Sequence, residues 1–422
     1  MITRASCILI LAGVLIVSVP EFAAAQDPSP TPDPSIVLDP FWDPINGSAA
    51  GTGTTTPNGT WSTAVAAWND ASDGTGTVSA WGGTNRAAVF SAGTDATGSY
   101  TVTVSGTVKA GSITFEEGAV TLAGTATPSL TISGGVTINS GINGTTTFGS
   151  TLGNVVLGGD QSWANNSSQA FKINSGVVAD TATRTLTLNG SGSGGSTFSG
   201  VLGNGSGTLN LTVNTTGGAT TLSGANTYTG ATTVNAGTLF VNGSLASGCA
   251  VTVSGSGTTL GGTGTINGSV SIGSGSKLQG GTGSTGQTLT LTGAVTMSNG
   301  SIFQLALDGS GTHSTIAING GSLAFAPTAS QQHFNFIGTP VVGTYLGIIT
   351  GVPNPTTTVM NQWVIDNAGY SGSFTWDSTN GGEIDLTLTK VPEPGTWGAA
   401  ALALLSVGYV QRKRLTRLLT RA

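Results

Sequence analysis

Between residues 250 and 283 the chain uses one pattern twice. AVTVSGSGTTLGGTG lies over SVSIGSGSKLQGGTG, so that Val251 and Val253 fall on Val270 and Ile272 while Gly261, Gly262 and Gly264 fall on Gly280, Gly281 and Gly283, all by one constant shift. The same shift again reaches Leu289 and Leu291, and taken backwards it reaches Thr232 and Val234. Apolar pairs returning at a fixed interval predict coils stacked like over like, each adding a strand about 4.8 Å from the last. Val, Ile and Leu would point into a narrow core, Thr and Ser outward, and Gly and Asn would make the corners. Such a stack needs a cap at each end.

The rest of the chain supports this. Short alternating runs (YTVTVSG, GSITF, AVTLAG, SLTISG, VTINSG, TLTLNG, LNLTVN) each end at a residue that tolerates tight turns. The 68 glycines and the 7% of charged residues leave few helix formers. We therefore expect an all-β fold, a solenoid of stacked coils over residues 99–312. An N-terminal cap over 60–98 would contain Trp61, Trp68, Trp81 and Phe90, and a C-terminal β cap over 313–390 would contain the aromatic residues from Phe334 to Trp376. A proline-, glycine- and threonine-rich spacer (26–59) precedes the first cap.

Both ends carry addresses. Arg4, an apolar run from Cys7 to Val19 and Ala23-Ala24-Ala25 before Gln26 make a secretory signal peptide over 1–25. Cleavage is expected at Ala23, Ala25 and Gln26, by signal peptidase after passage through the general secretion machinery. At the other end, Thr396 to Val410 is apolar enough for a helix of about 15 residues, or about 22 Å. Trp397 and Tyr409 would mark its interfaces, and Gln411-Arg412-Lys413-Arg414 would follow on the cytoplasmic side.

Two resemblances sharpen these readings. Val391-Pro392-Glu393-Pro394, the apolar helix and the basic cluster (391–414) resemble the PEP-CTERM sorting signal of Gram-negative, exopolysaccharide-making bacteria. That resemblance implies recognition of Pro392, Glu393 and Pro394 by an exosortase-type processing enzyme, and a transient inner-membrane intermediate. It also implies a final place on the cell surface or in the extracellular matrix, with exopolysaccharide as a partner. LSGANTYTGATTVNAGTLFVNGSL (222–245) resembles the autotransporter-associated β-strand repeat, through Asn226, Tyr228, Thr229, Gly230, Thr232, Ala236, Gly237 and Leu239, and that resemblance implies that the solenoid is a right-handed parallel β-helix. No alternating barrel strands follow it, so the sorting tail takes the place of an autotransporter's barrel.

Chemistry is sparse. Residues 27–390 hold 16 acids (18 less Glu21 and Glu393) and six bases, a net charge of −10, which excludes a nucleic-acid surface. With Cys7 in the signal peptide, Cys249 stands alone as a small buried hydrophobe. A polysaccharide lyase or hydrolase would need paired carboxylates or a carboxylate beside a base. The candidates are Glu116, Glu117, Asp160, Asp180 and Asp308, with Lys172, Arg184 and Lys277. They read as solitary surface charges, Glu116 and Glu117 facing opposite sides. His313 and His333 lie too far apart in sequence for a metal site, and Gly281 to Gly286 matches a nucleotide loop by chance. No catalytic residue, metal or cofactor is expected. The reading is a structural or adhesive surface protein. The alternatives are a polysaccharide-acting β-helix enzyme, or a carbohydrate-binding surface protein with solvent-facing aromatics in 313–390.

Overall fold

The computed structural model describes residues 39–45, 51–83, 85–125, 128–308, 311–325, 331–391 and 402–413. The alternating runs form strands that climb in parallel on three sides. One side is a 14-stranded sheet, in which every strand from Ala87–Phe90 to Leu323–Phe325 pairs in parallel with its neighbours. The second is a 13-stranded sheet running from Gly59–Trp61 to Val364–Ile365. The third side is split into a five-stranded sheet, Thr107–Ala110 to Leu202–Gly203, and a seven-stranded sheet that begins at Ser244–Leu245. The fold is a three-sided parallel β-helix.

Alternation sets what faces in. In Val251–Val253 the two valines are buried and Thr252 is exposed; Val270–Ile272 repeats the pattern around Ser271. The ladder joins Val251 to Val270 and Val253 to Ile272, and one coil earlier Thr232 to Val251 and Val234 to Val253, at the interval read from the sequence. The next step departs from it. Val270 and Ile272 pair with Val295 and Met297, further along the chain than the constant shift would reach. Leu289 and Leu291 belong instead to the third side, where Leu291 lies beside Ile266. The cause is an insertion at the corner. Gly281, Gly283 and Gly286 have φ of +72°, +113° and +71°, and the loop they form lengthens the coil without breaking its ladders. The chance nucleotide-loop match is therefore a corner.

Coil length varies elsewhere too. On the 14-stranded sheet the coil that carries Leu186 to Leu211 is longer than the next, which carries Val213 to Val234. The wider coils hold packed rings: Phe90 stacks on Phe115 (centroids 5.1 Å apart) and Trp163 over Phe198 (6.1 Å), while Phe148 meets Phe171 edge to face (5.2 Å). Every one of these is at most 2% exposed.

The N-terminal cap reaches further back than expected. Phe41–Trp42, assigned to the spacer, is a strand that pairs in parallel at Val89 and antiparallel with Ala66–Asn69. Trp42 is fully buried 5.1 Å from Trp68, which packs 4.8 Å from Trp81. This block covers the first edge of the 14-stranded sheet, which would otherwise expose unpaired backbone groups.

At the other end the coils run past residue 312. Thr315–Ile318, Leu323–Phe325 and His333–Gly338 are all still parallel rungs, and Gly343–Thr350 pairs in parallel at Ile316. Antiparallel closure comes only with Glu383–Lys390 and Tyr370–Asp377.

Candidate functional site

The autotransporter-like repeat sits at the seam of the third side. There Ser223 to Ala231 replaces a strand, leaving a gap between Leu202–Gly203 and Ser244–Leu245. Asn226, 2% exposed, fills it. Its Oδ1 accepts the Leu202 N–H (2.9 Å), and its Nδ2 donates to the Gly224 and Ser244 carbonyls (2.9 and 3.1 Å). One amide thus satisfies backbone groups on both sides of the gap. Tyr228 points inward, its hydroxyl 2.6 Å from that of Thr232, which lies 3.0 Å from the Cys249 sulfur. Burial pushes that thiol up from its usual value, opposite to what a nucleophile needs. Gly237 has φ +79°, and a Cβ there would meet the Thr215 hydroxyl. The repeat's Asn226, Tyr228, Thr232 and Gly237 are fold-determining residues.

The charges are less solitary than their spacing indicated. Asp180 takes two hydrogen bonds from Arg184 (Nε 2.8 Å, Nη2 2.6 Å), and Asp160, one coil earlier, accepts the Thr185 N–H at 2.8 Å. Two carboxylates and a guanidinium therefore meet on one corner. The hydrogen bonds from Arg184 hold the Asp180 carboxyl below its ordinary value, and the same bonds hold Arg184 above its own. A general acid needs the opposite shift. Glu116 and Glu117, just past the strand Ser112–Phe115, are both pushed up, mainly by burial. Glu117 accepts the Ala96 N–H at 3.1 Å and so ties the cap to the first coils.

The histidines brace the C-terminal end. His313 Nε2 lies 2.9 Å from the Leu346 carbonyl, and His333 Nδ1 lies 2.7 Å from Asp366. Three carboxylates that the sequence reading passed over converge in the same cap: Asp377, Glu383 and Asp385, whose oxygens lie within 4.8 Å of one another. Their signal was Glu383-x-Asp385, two residues that alternation puts on one face, with Asp377 opposite Glu383 in the hairpin. Donors of the cap already engage them. Gly347 N–H reaches Asp385 (2.7 Å), and Thr379 bonds Asp377 through its N–H (2.8 Å) and Glu383 through its hydroxyl (3.0 Å). A hard cation is the ligand such oxygens would take.

The aromatics of 313–390 face inward. Phe334 stands 4.3 Å from Phe374 and 5.2 Å from Trp363, and Trp376 Nε1 donates to the Val352 carbonyl. A row of solvent-facing rings, which the carbohydrate-binding alternative requires, is missing among the described residues. A hollow of about 410 Å³ lies at the opposite end, lined by Thr63, Trp81, Gly82, Gly83, Thr107 and Lys109.

The sorting residues Pro392, Glu393 and Pro394 and the cleavage residues Ala23, Ala25 and Gln26 lie outside the described residues. Residues 402–413 are helical and exposed, so this helix continues through Arg412 and Lys413 instead of stopping at Val410. Among the described residues no helix is long and apolar enough to cross a membrane.

What remains is the outer surface of the coils, where polar side chains stack. On the 14-stranded sheet Thr187, Thr212, Thr233, Thr252, Ser271 and Thr296 are neighbours on six successive rungs. The matching column on the second sheet reads Thr121, Thr147, Lys172, Thr197, Thr221 and Phe240.

No protein-family model matches the chain. Over 169 residues it is 36% identical to the adhesin BmaC autotransporter of Brucella suis biovar 1 (strain 1330). That stretch covers 36% of this chain and 5% of the adhesin, so the chain spans only a small part of that relative's length. By sequence, then, the chain is similar to part of an autotransporter adhesin.

Proposed function

We propose that this protein is an exported cell-surface protein that adheres or scaffolds, and is not an enzyme. The observation that carries the reading is the β-helix itself. It is a capped rod whose Asp180 is paired with Arg184, whose Glu117 and Asp385 carboxylates accept backbone N–H groups, and whose broad faces present stacked hydroxyls. The stretch of identity with an autotransporter adhesin supports the same reading. Weak contacts repeated along a rod suit avidity better than tight binding at one point.

The route to the surface is part of the proposal. Signal peptidase removes residues 1–25 after export through the general secretion machinery. The chain then halts in the inner membrane by its tail, and an exosortase-type enzyme reads Pro392-Glu393-Pro394 and releases the protein to the surface or matrix. Intact-mass and C-terminal peptide analysis of the protein from its own host, by cell fraction, tests this route. Loss of Arg412 to Ala422 from protein outside the inner membrane is the expected outcome; their retention in the inner membrane refutes the sorting step. Deleting residues 99–312 should reduce cell attachment or matrix cohesion, and unchanged attachment refutes the adhesive role.

A further inference from the structure

We propose that the column Thr187, Thr212, Thr233, Thr252, Ser271 and Thr296 is the surface on which an uncharged, extended polysaccharide lies, parallel to the axis of the coils. The proposal rests on the adhesive reading above and names its face and its ligand class.

Four observations carry it. The six residues occupy consecutive rungs, about 24 Å of surface at the spacing of strands. None is buried, and Thr252, Ser271 and Thr296 are exposed. None of the six hydroxyls makes a hydrogen bond to another described residue, although Thr258, Ser276 and Ser301 nearby all do. Each therefore keeps a donor and two acceptor sites for an outside partner. Finally, neither this column nor the Asn189–Asn214 pair beside it contains an Asp, Glu, Lys or Arg.

Those facts select the partner. A ligand crossing the coils would meet a different set of side chains on each strand, Thr183, Thr185 and Thr187 on one and Asn210, Thr212 and Asn214 on the next, whereas one lying along the column meets a β-hydroxyl at every rung. A straight row suits a ribbon-like chain whose hydroxyls recur at a regular rise. The threonine methyls between the hydroxyls give the C–H faces of sugar rings apolar contact. With no cation in the column, an anionic polymer gains nothing over a neutral one and loses hydration. The other sides lack this continuity. Lys172 and Phe240 interrupt the second-sheet column, and the third side carries Val156 and Val178 outward and ends at the seam.

The test is retention of the whole secreted protein on unmodified cellulose and on carboxymethylated cellulose. Valine keeps the β-branched shape and removes the hydroxyl. The triple variant Thr212→Val, Thr233→Val, Thr252→Val should lose about tenfold or more in retention on unmodified cellulose, because linked weak contacts fail together. The control Thr147→Val, Thr197→Val, Thr221→Val, on the second sheet, should bind as the parent does. The parent should prefer the unmodified polymer. Equal behaviour of the two triple variants overturns the proposal, as does a parent that prefers the carboxymethylated polymer or binds neither. Attachment of cells carrying the parent protein, measured alongside, separates this failure from failure of the adhesive role.

Discussion

Two stretches of the same β-helix solve the core differently. Between residues 112 and 222 the coils are long, as the pairing of Leu186 with Leu211 shows, and their interior holds Phe115, Phe148, Trp163, Phe171 and Phe198. From Val234 to Ile272 they are shorter, as the pairing of Val251 with Val270 shows, and the interior is Val, Leu and Ile: Leu239, Leu245, Val253, Leu260 and Ile266. Perimeter sets cross-section, and cross-section sets the side chains that fill it at native density. Rings reappear at Phe303 and Phe334, once the coils have lengthened again from Val270 to Val295 and from Val295 to Leu323. On two of the three sides the ladders run on through both stretches, so the backbone leaves the fill to coil length.

The largest test of this contrast is truncation. Phe148 is fully buried and touches Phe115, Trp163 and Phe171. Phe148→Ala should cost about 4 kcal/mol in denaturant unfolding, against about 3 kcal/mol for Leu260→Ala in a narrow coil, where less volume is lost. Equal costs would break the comparison.

The boundary between the two regimes is Asn226. Removing its amide leaves the buried Leu202 N–H without its partner and takes from the Gly224 and Ser244 carbonyls one of their two donors, the other being a backbone N–H. Asn226→Ala should cost about 3 kcal/mol, with hydrogen exchange rising at Leu202 before it rises in the Thr183–Gly190 strand. Uniform exchange along the rod would count against a local seam.

Overpacking runs the other way. Leu260→Phe in a narrow coil should cost about 2 kcal/mol, and Leu186→Phe in a wide one roughly half as much, by thermal unfolding. Reversal of that order would mean that coil length does not set the space available.

The smallest effect is one of pH, and it distinguishes the ends from the coils. Burial raises the carboxyls of Glu116, Glu117 and Asp385 in and beside the caps. A raised folded value favours the protonated form, so this stabilisation is present below the ordinary values of 4.5 and 3.8 and is lost as pH rises through the raised ones. Asp180 is lowered, chiefly by its bonds from Arg184. Its contribution is present above 3.8 and is lost as pH falls through the lowered value. As pH falls through the raised values, exchange protection (the rate relative to that of the unfolded chain at the same pH) should therefore rise in the caps, while around Asp180 it falls only at more acid pH, below 3.8. Glu117→Gln and Asp385→Asn should flatten the change in the caps.

Much of the rod was legible in its sequence because the code is local. Alternation places Val251 and Val253 inside whatever the coil does next, and Thr232, Val251 and Val270 share a column as their spacing required. The step to Leu289 failed for the same reason. Every strand of such a chain reads alike, so a corner of glycines can add residues and move the apolar pair to another side. The spacer was misjudged because prolines around Asp39 mask Phe41 and Trp42, whose burial depends on Trp68 and Phe90, distant in sequence. The meeting of Asp160 with Arg184 and that of Asp377 with Asp385 depend on register, which residue types do not encode.

The seam also has a mechanical meaning. Along two sides of the rod, force applied lengthwise is borne by continuous ladders of backbone hydrogen bonds from one rung to the next. On the third side the strand ladder is interrupted between Leu202 and Ser244, and the connection passes through the segment around Asn226, by its side-chain amide and by backbone bonds from Thr227 and Tyr228 to Leu202 and between Gly224, Asn226 and Ser244. A load that stretches this side opens it there first, while the other two sides act as the leaf of a hinge. A surface rod built this way yields by bending at one known coil before its ends come undone.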